Sequence, residues 1–269
     1  MCELLGLSAS APVDVTMSFG RLAAHGGKGG NPDGWGIAYL AGDDAQVWRD
    51  PHAAADSPFA RFLTTEPVTS HTVIAHVRRA TAGGVALANT QPFMRELFGR
   101  VHVFAHNGSF PAIGALAPTS WFRPLGETDS EIGFCRMLAQ VAGEGDDTLA
   151  VRRVFADTAH RLSALGHANL LYASADRLFV HSDCRTMGPD APPEPGLWVV
   201  QRRFDATETA HDTNAVVGVR GSSLVVTAVA SVPLTDEAWR PLPRGTMLEI
   251  AAGEIVYEGP VDAALAMKA

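Results

Sequence analysis

The apolar positions of the chain fall into many short runs, most of them four to seven residues long, separated by glycine, proline, aspartate and asparagine. Runs of this length, bounded by turn residues, indicate β-strands. Strands are predicted at residues 3–9, 35–40, 46–49, 72–77, 101–105, 169–173, 178–181, 197–201, 215–219, 224–230 and 247–251. The pairs at 35–40/46–49 and 169–173/178–181 flank turn sequences and predict hairpins, so the sheets should be antiparallel.

A helical spacing of apolar residues replaces this pattern in four places. Helices are predicted at residues 12–24, 56–63, from 129 onward, and 148–165. Thr128 and Glu131 match a capping box, which starts the third helix with Asp129 in its first turn. Strands, two long central helices and further strands predict an α+β fold in which helices cover the outer faces of antiparallel sheets. We expect one domain over residues 1–269, with a C-terminal tail from about residue 259.

Composition narrows the class of protein. The formal net charge of −8 argues against nucleic acid or an anionic membrane surface as the main partner. Three cysteines, Cys2, Cys135 and Cys184, do not make a disulfide framework and suit a reducing compartment, so we expect a cytoplasmic protein. There is no apolar run of 18 residues, and no membrane span is expected.

Candidate chemistry begins at Cys2. If Met1 is removed, one residue carries both a thiol nucleophile and an α-amine, whose pKa of about 7.7–8.0 lets it act as the base. Arg78, the Asn107-Gly108 pair and Asp129 each lie where a predicted element ends or begins, which is where sites are usually built. Each also has a structural interpretation: a surface cation, a type I′ turn and a charge complementing a helix dipole, respectively.

Six sequence segments in order carry a resemblance to a known family. They are MCELLG at the start, DGWG at 33–36, HVRRAT at 76–81, NTQPF at 89–93, HNG at 106–108 and GETDSE at 126–131. With them the chain resembles the class-II glutamine amidotransferases, which are N-terminal nucleophile (Ntn) hydrolases, and most closely the stand-alone YafJ-like group without a fused synthase. PLTDEAW at 233–239 also fits, so the resemblance runs to about residue 258. It implies a four-layer αββα sandwich with two antiparallel sheets.

The resemblance also implies roles for individual residues. Cys2 would be the nucleophile, and Asn107 and Gly108 would form the oxyanion hole. Arg78, with the Thr81 region beside it, would hold the α-carboxylate of glutamine, and Asp129 would bind its α-ammonium group. No cofactor and no metal are implied. The chain departs from the pattern in two places: Gln91 stands where relatives often carry histidine, and Arg79 replaces a tryptophan of the fused-synthase enzymes.

Several functions remain open from the sequence. The substrate could be glutamine, with ammonia passed to a separate synthase subunit, or a γ-glutamyl conjugate of the kind trimmed in thiol biosynthesis. A binding or regulatory protein that kept the fold and lost turnover is the alternative from another class. A metal site is disfavoured, because His102 and His106 lie in a strand-like segment and the close pair His181 and Asp183 has no companion cluster in the sequence.

Overall fold

The structure is a computed structural model that describes residues 1–27, 30–115, 119, 121–186, 192–204 and 224–266. The described strands, β1 to β15 in chain order, are Glu3–Asp14, Trp35–Ala41, Asp44–Asp50, Thr69–Val77, Phe93–Leu97, Arg100–Ser109, His167–Ser174, Arg177–Ser182, Cys184–Arg185, Glu194–Pro195, Trp198–Phe204, Leu224–Ala230, Arg240–Pro241, Thr246–Ala251 and Glu254–Pro260. The described α-helices, α1 to α5, are Thr16–Ala24, Pro58–Leu63, Asp129–Glu144, Thr148–Ser163 and Val261–Leu265.

Two large antiparallel sheets carry the fold. The first has the strand order β13-β11-β12-β1-β4-β2-β3, and the second has the order β15-β14-β8-β7-β6-β5. Strands β9 and β10 form a separate short antiparallel pair. None of the described helices is long and apolar enough to cross a lipid bilayer.

Alternation of side chains along the strands divides the interior into three apolar layers. In β1, Leu5 and Leu7 pack with residues of α1 and α2, whereas Leu4 packs with residues of the second sheet. In β6, Phe104 packs with residues of α3, α4 and α5, whereas Val103 faces the first sheet. The order of layers is therefore helix, sheet, sheet, helix, which confirms the predicted αββα sandwich.

The start of the third helix follows the predicted capping sequence only in part. Thr128 Oγ1 accepts a hydrogen bond from the Glu131 backbone N–H at 3.2 Å, as predicted. The Glu131 carboxylate does not return to Thr128 and instead accepts from the backbone N–H groups of Leu125 and Gly126. This fixes the preceding loop against the helix and holds Asp129 at the N-terminus.

Three sequence predictions need correction. Residues 12–14 belong to β1 and not to the first helix, because Val13 and Asp14 pair with β4 beyond an irregularity in the ladder. Asn107 and Gly108 are not a turn but lie inside β6, paired with β7. Strands β5 and β15 and helix α5 were not predicted, and α5, within the predicted C-terminal tail, buries Ala264 against the core. The strand predicted at 215–219 lies outside the described residues.

Candidate functional site

Cys2, Arg78 and Asn107 lie at one end of the layer between the two sheets. Glu3 pairs with Val77, so the same register continued by one residue sets Cys2 opposite Arg78. Side chains two or four residues apart along an extended chain point to the same face. Cys2 therefore points to the same side of its strand as Leu4, Arg78 to the same side as Ile74, and Asn107 to the same side as Ala105. Leu4, Ile74 and Ala105 all belong to the layer between the sheets. Each predicted residue is thus the polar end of a row of inward-facing side chains.

The Cys2 thiol is half-buried against the backbone of Arg79. The Arg79 N–H donates to Cys2 Sγ at 3.2 Å, and the thiol also lies 3.2 Å from the Arg79 carbonyl oxygen. Burial raises the pKa of the Cys2 thiol, and the Arg79 N–H, the N-terminal charge and Arg78 oppose that rise. Met1 is present in the structure, so the α-amine beside the thiol is that of Met1. Burial, together with the charges of Arg79 and Arg185, lowers the pKa of this amine.

Asn107 is buried and its side chain is anchored to the first sheet. Its Nδ2 donates to Ser231 Oγ at 3.0 Å, and the same Oγ accepts from the Leu4 N–H at 3.0 Å. Its carbonyl oxygen accepts from Asn169 Nδ2 at 3.0 Å. Ser231 therefore joins the side-chain amide of Asn107 to the strand that carries Cys2.

Gly108 occupies a position where a side chain has no room. A Cβ added there would lie 1.8 Å from the His167 carbonyl oxygen and 2.6 Å from His106 Nε2. β5 pairs with β6 only as far as Phe104. Past the end of β5, on the same edge of β6, the His106 N–H donates to Gln91 Oε1 at 2.6 Å. Since N–H groups two residues apart in a strand point to the same side, the Gly108 N–H points to this edge too. Gln91, which departs from the family pattern, thus caps the backbone next to Gly108.

Arg78 is buried, and its guanidinium donates to backbone carbonyls. Nη1 donates to Asp33 at 3.3 Å and to Gly84 at 3.1 Å, and Nη2 donates to Ala82 at 2.8 Å and to Gly83 at 3.1 Å. Burial lowers the pKa of Arg78, and the nearby charges of Cys2, Asp33 and Asp129 oppose this shift. The guanidinium is therefore within electrostatic reach of both Cys2 and Asp129.

Asp129 is half-buried at the start of α3. Its Oδ2 accepts from the Phe110 N–H at 2.5 Å, and its Oδ1 accepts from the Ser130 N–H at 2.8 Å. Thr81 and Arg79, in the segment after β4, are exposed. The structure thus brings Cys2, Arg78, Asn107, Gly108 and Asp129 to one end of the sandwich, while Thr81 lies in the exposed segment that follows Arg78.

Three residues of this end were missed from the sequence: Ser231, Asn169 and Arg185. Ser231 directly follows the predicted strand at 224–230, and Asn107 lies two residues beyond the one at 101–105, so the search for polar residues at strand ends that found Asn107 could have found Ser231. Asn169 begins a predicted strand and is fully buried. Arg185 is 5% exposed and donates from Nη1 to the Ser231 carbonyl oxygen at 2.8 Å. No sequence pattern distinguishes it from a surface arginine.

The histidines considered as metal ligands have other partners. His102 Nδ1 lies 2.7 Å from the Tyr172 hydroxyl, and His106 bonds Ser130 Oγ at 2.8 Å and the His167 carbonyl at 2.9 Å. His181 Nδ1 donates to the Ala168 carbonyl at 2.7 Å. Burial lowers the pKa of His102, His106 and His181. At least one ring nitrogen of each histidine is therefore taken up by a hydrogen bond within the fold.

Comparison with known proteins gives one consistent family. The profile of the class-II glutamine amidotransferases matches residues 1–268. The chain is 36% identical over 265 residues to YafJ of Escherichia coli (strain K12), a candidate glutamine amidotransferase. The alignment covers 95% of this chain and 100% of YafJ. It is 30% identical over 268 residues to a candidate glutamine amidotransferase of Haemophilus influenzae, covering 96% of this chain and 87% of the relative.

Solved structures agree with this. The crystal structure of a predicted glutamine amidotransferase from Pseudomonas aeruginosa matches with a TM-score of 0.68 and 30% identity, covering 95% of this chain and 100% of that one. Glutamine phosphoribosylpyrophosphate amidotransferase from B. subtilis matches with a TM-score of 0.61 and 16% identity, covering 97% of this chain and 49% of that one. The second likeness concerns the fold alone.

Proposed function

The chain belongs to the class-II glutamine amidotransferase family, and on that premise we propose that it hydrolyses a γ-glutamyl amide through a thioester on an N-terminal Cys2. The family acts on glutamine as a small-molecule substrate. The proposal for this chain is that the amide nitrogen of glutamine, or of a γ-glutamyl conjugate, leaves as ammonia or an amine and that glutamate is released. No cofactor enters the proposed reaction.

The proposed reaction starts after Met1 is removed. The α-amine of Cys2 takes the thiol proton, and the thiolate attacks the γ-carbonyl carbon to give a tetrahedral oxyanion. The C–N bond then breaks, the leaving nitrogen takes the proton from the amine, and a γ-glutamyl thioester remains. Water attacks the thioester with the amine again as base, which releases glutamate and restores the thiol.

The oxyanion is assigned to Asn107 Nδ2 and the Gly108 N–H. The Asn107 amide has two hydrogens and gives one to Ser231 Oγ, which leaves the other for the substrate. The Gly108 N–H is adjacent to it on the strand. Loss of one such donor typically costs about 2.7–4 kcal/mol of barrier, or 10²–10³ in kcat.

Substrate recognition is assigned to Arg78, Asp129 and the Thr81 region. A guanidinium can bind a carboxylate with two parallel hydrogen bonds, and a carboxylate suits an ammonium group. A substrate carboxylate at Arg78 would take the place of carbonyl contacts from residues 82–84, so this segment must shift when substrate binds. Asp129 already accepts two backbone N–H groups and has lone pairs left for an ammonium group.

One observation carries the proposal. Cys2, Arg78 and Asn107 extend three inward-facing rows to the same end of the inter-sheet layer, and Ser231 ties the Asn107 amide to the Cys2 strand at 3.0 Å. A protein that had only kept the fold would not need this arrangement of nucleophile, amide donor and cation. We include a reducing, cytoplasmic location in the proposal, since Cys2, Cys135 and Cys184 are all free thiols.

Two versions of the activity differ in the leaving group. In one, glutamine is the substrate and the ammonia serves a separate synthase subunit. In the other, the leaving group is the amine of a γ-glutamyl conjugate. The two are distinguished by comparing kcat/KM for glutamine with kcat/KM for a series of γ-glutamyl amides, with released glutamate as the common readout.

The deciding experiment compares the parent protein with Cys2→Ala. Mass spectrometry of the intact chain first establishes that Met1 is absent. We expect glutamate release by the parent, none by Cys2→Ala, and activity close to the parent for Cys135→Ala, whose thiol is buried in α3. Equal activity of Cys2→Ala and the parent would exclude the thioester mechanism. Lack of hydrolysis by a correctly processed parent across the substrate series would favour the binding protein.

A further inference from the structure

A second cluster of reactive side chains lies outside the proposed catalytic group, where β7 begins and β8 ends. Leu170 pairs with His181, so the same register carried three residues further sets His167 opposite Cys184. Asp183 precedes Cys184 in the chain. We propose that His167, Asp183 and Cys184 bind a divalent transition-metal cation, with Zn²⁺ as the best match to these ligands.

The distance between the sulfur and the nitrogen fits a tetrahedral cation, and the carboxylate lies close enough to join them. His167 Nδ1 lies 3.3 Å from Cys184 Sγ, and the ligand atoms of all three residues lie within 4.8 Å of one another. With a Zn–S bond of about 2.3 Å and a Zn–N bond of about 2.0–2.1 Å, tetrahedral angles separate sulfur and nitrogen by about 3.5 Å. Three protein ligands leave the fourth position for water or for a further donor.

Two of the ligands are held firmly before any cation binds. Asp183 is 2% exposed, and its Oδ2 accepts from the Ala168 N–H at 3.0 Å. The Asp183 N–H in turn donates to Asn169 Oδ1 at 2.8 Å. Cys184 is 7% exposed, whereas His167 is half-buried and borders solvent, which gives the cation a route in. A prearranged ligand set loses little conformational freedom on binding.

The charges balance when the thiol ionises. The cation replaces the thiol proton, which passes to solvent as the S–H bond breaks and the metal–sulfur bond forms. Thiolate and carboxylate together then neutralise the divalent charge, and no oxidant or reductant is needed. Arg244 Nε donates to Asp183 Oδ1 at 2.6 Å and competes for that oxygen. The Arg244 side chain is 67% exposed and can turn into solvent, and the carboxylate keeps further lone pairs.

The cluster adjoins the proposed oxyanion group through Asn169. Asn169 Nδ2 donates to both the Cys184 and the Asn107 carbonyl oxygens at 3.0 Å. A cation bound at the cluster would therefore be connected through Asn169 to the strand that carries Asn107 and Gly108. The proposal does not depend on the hydrolase activity, because metal binding is measured without substrate.

The test is a Co²⁺ titration of the chelator-treated full chain, followed by absorption spectroscopy. It is run in a Cys2→Ala background, because an N-terminal cysteine is itself a chelator. We expect one Co²⁺ per chain, a near-ultraviolet thiolate-to-cobalt charge-transfer band, visible bands of tetrahedral cobalt, and displacement by Zn²⁺. Cys184→Ser should abolish the charge-transfer band, and His167→Gln should weaken binding at least about 10-fold.

The controls make the result decisive. Cys135→Ser in the same background should keep the full spectrum, since Cys135 lies in α3 away from the cluster. His167→Gln changes a half-buried side chain and serves if Cys184→Ser does not fold, as judged by its unfolding transition. A charge-transfer band that survives Cys184→Ser, or Co²⁺ binding with no thiolate band in the Cys2→Ala chain, would overturn the proposal.

Discussion

Ser231 provides the sharpest prediction, because one hydroxyl serves both stability and the proposed catalysis. Its Oγ accepts from two buried donors, the Leu4 N–H and Asn107 Nδ2, each at 3.0 Å. Ser231→Ala leaves both donors without this acceptor, and a buried unsatisfied donor costs about 1–3 kcal/mol. We therefore expect the free energy of unfolding to fall by about 2–6 kcal/mol.

The same substitution releases the amide that is assigned to the oxyanion. Without Ser231 Oγ the Asn107 side chain loses its fixed orientation, so the variant should approach the effect of removing the donor. That effect is about 2.7–4 kcal/mol, which sets an upper limit of 10²–10³ on the loss of kcat. KM should change little, because Ser231 has no assigned contact with the substrate.

The assay combines denaturant unfolding with steady-state hydrolysis, and Ser8→Ala is the matched control. Ser8 is equally buried in β1, and its Oγ accepts one backbone N–H, from Gly253 at 3.2 Å, away from Cys2. Ser8→Ala should cost about 1–3 kcal/mol of stability with kcat unchanged. Ser231→Thr keeps the acceptor and should recover kcat.

A double-mutant cycle completes the test. Ser231→Ala combined with Asn107→Ala should lose no more kcat than Asn107→Ala alone, because both changes remove the same donor. A Ser231→Ala protein with the parent's kcat would refute the positioning role, even if it were less stable. Additive losses of kcat in the cycle would refute it as well.

Three further predictions concern other parts of the fold. Gly108→Ala should destabilise the protein by at least about 1–3 kcal/mol, because its Cβ would lie 1.8 Å from a backbone oxygen. Gly143→Ala in α3, where a Cβ has nothing within 4 Å, should stabilise the protein by about 0.5–1 kcal/mol. Equal urea midpoints for the two variants would contradict this prediction. Glu249 is fully buried, and its carboxylate forms ion pairs with Arg152 Nε at 2.5 Å and Arg177 Nη1 at 3.1 Å. Glu249→Ala should therefore lower the free energy of unfolding by up to about 3–5 kcal/mol. An unchanged midpoint would show that the ion pairs contribute nothing. Burial lowers the pKa of His76 to about 3. Between about pH 6.5 and pH 3, His76 is therefore protonated in the unfolded chain but not in the folded chain. Stability should therefore fall by about 1.4 kcal/mol per pH unit from pH 6.5 towards pH 3, and His76→Leu should remove this part of the slope measured by denaturation at each pH.

Local sequence patterns determined much of this protein. Apolar runs placed most strands within a few residues, and Leu224–Ala230 matches the predicted strand at both ends. Capping chemistry fixed the start of α3 at Asp129. The position of polar residues at or just beyond the ends of apolar runs identified Arg78 and Asn107, because alternation along a strand is a local property that decides which face a side chain takes.

Beyond the two hairpins predicted from their turns, β2–β3 and β7–β8, only the tertiary structure decided which strands are neighbours and in what register. Asn107 and Ser231 are 124 residues apart, and their hydrogen bond exists because the two sheets pack face to face. His167 meets Cys184 only through the register of β7 on β8. Neither contact can be predicted from local periodicity. The apolar and polar alternation of a strand decides which side chains point to each face of the sheet, but not which strand pairs with it or in which register. The sequence patterns therefore predicted antiparallel sheets covered by helices, and the family resemblance implied the four layers. Strand pairing and the packing of the two sheets brought the site residues together.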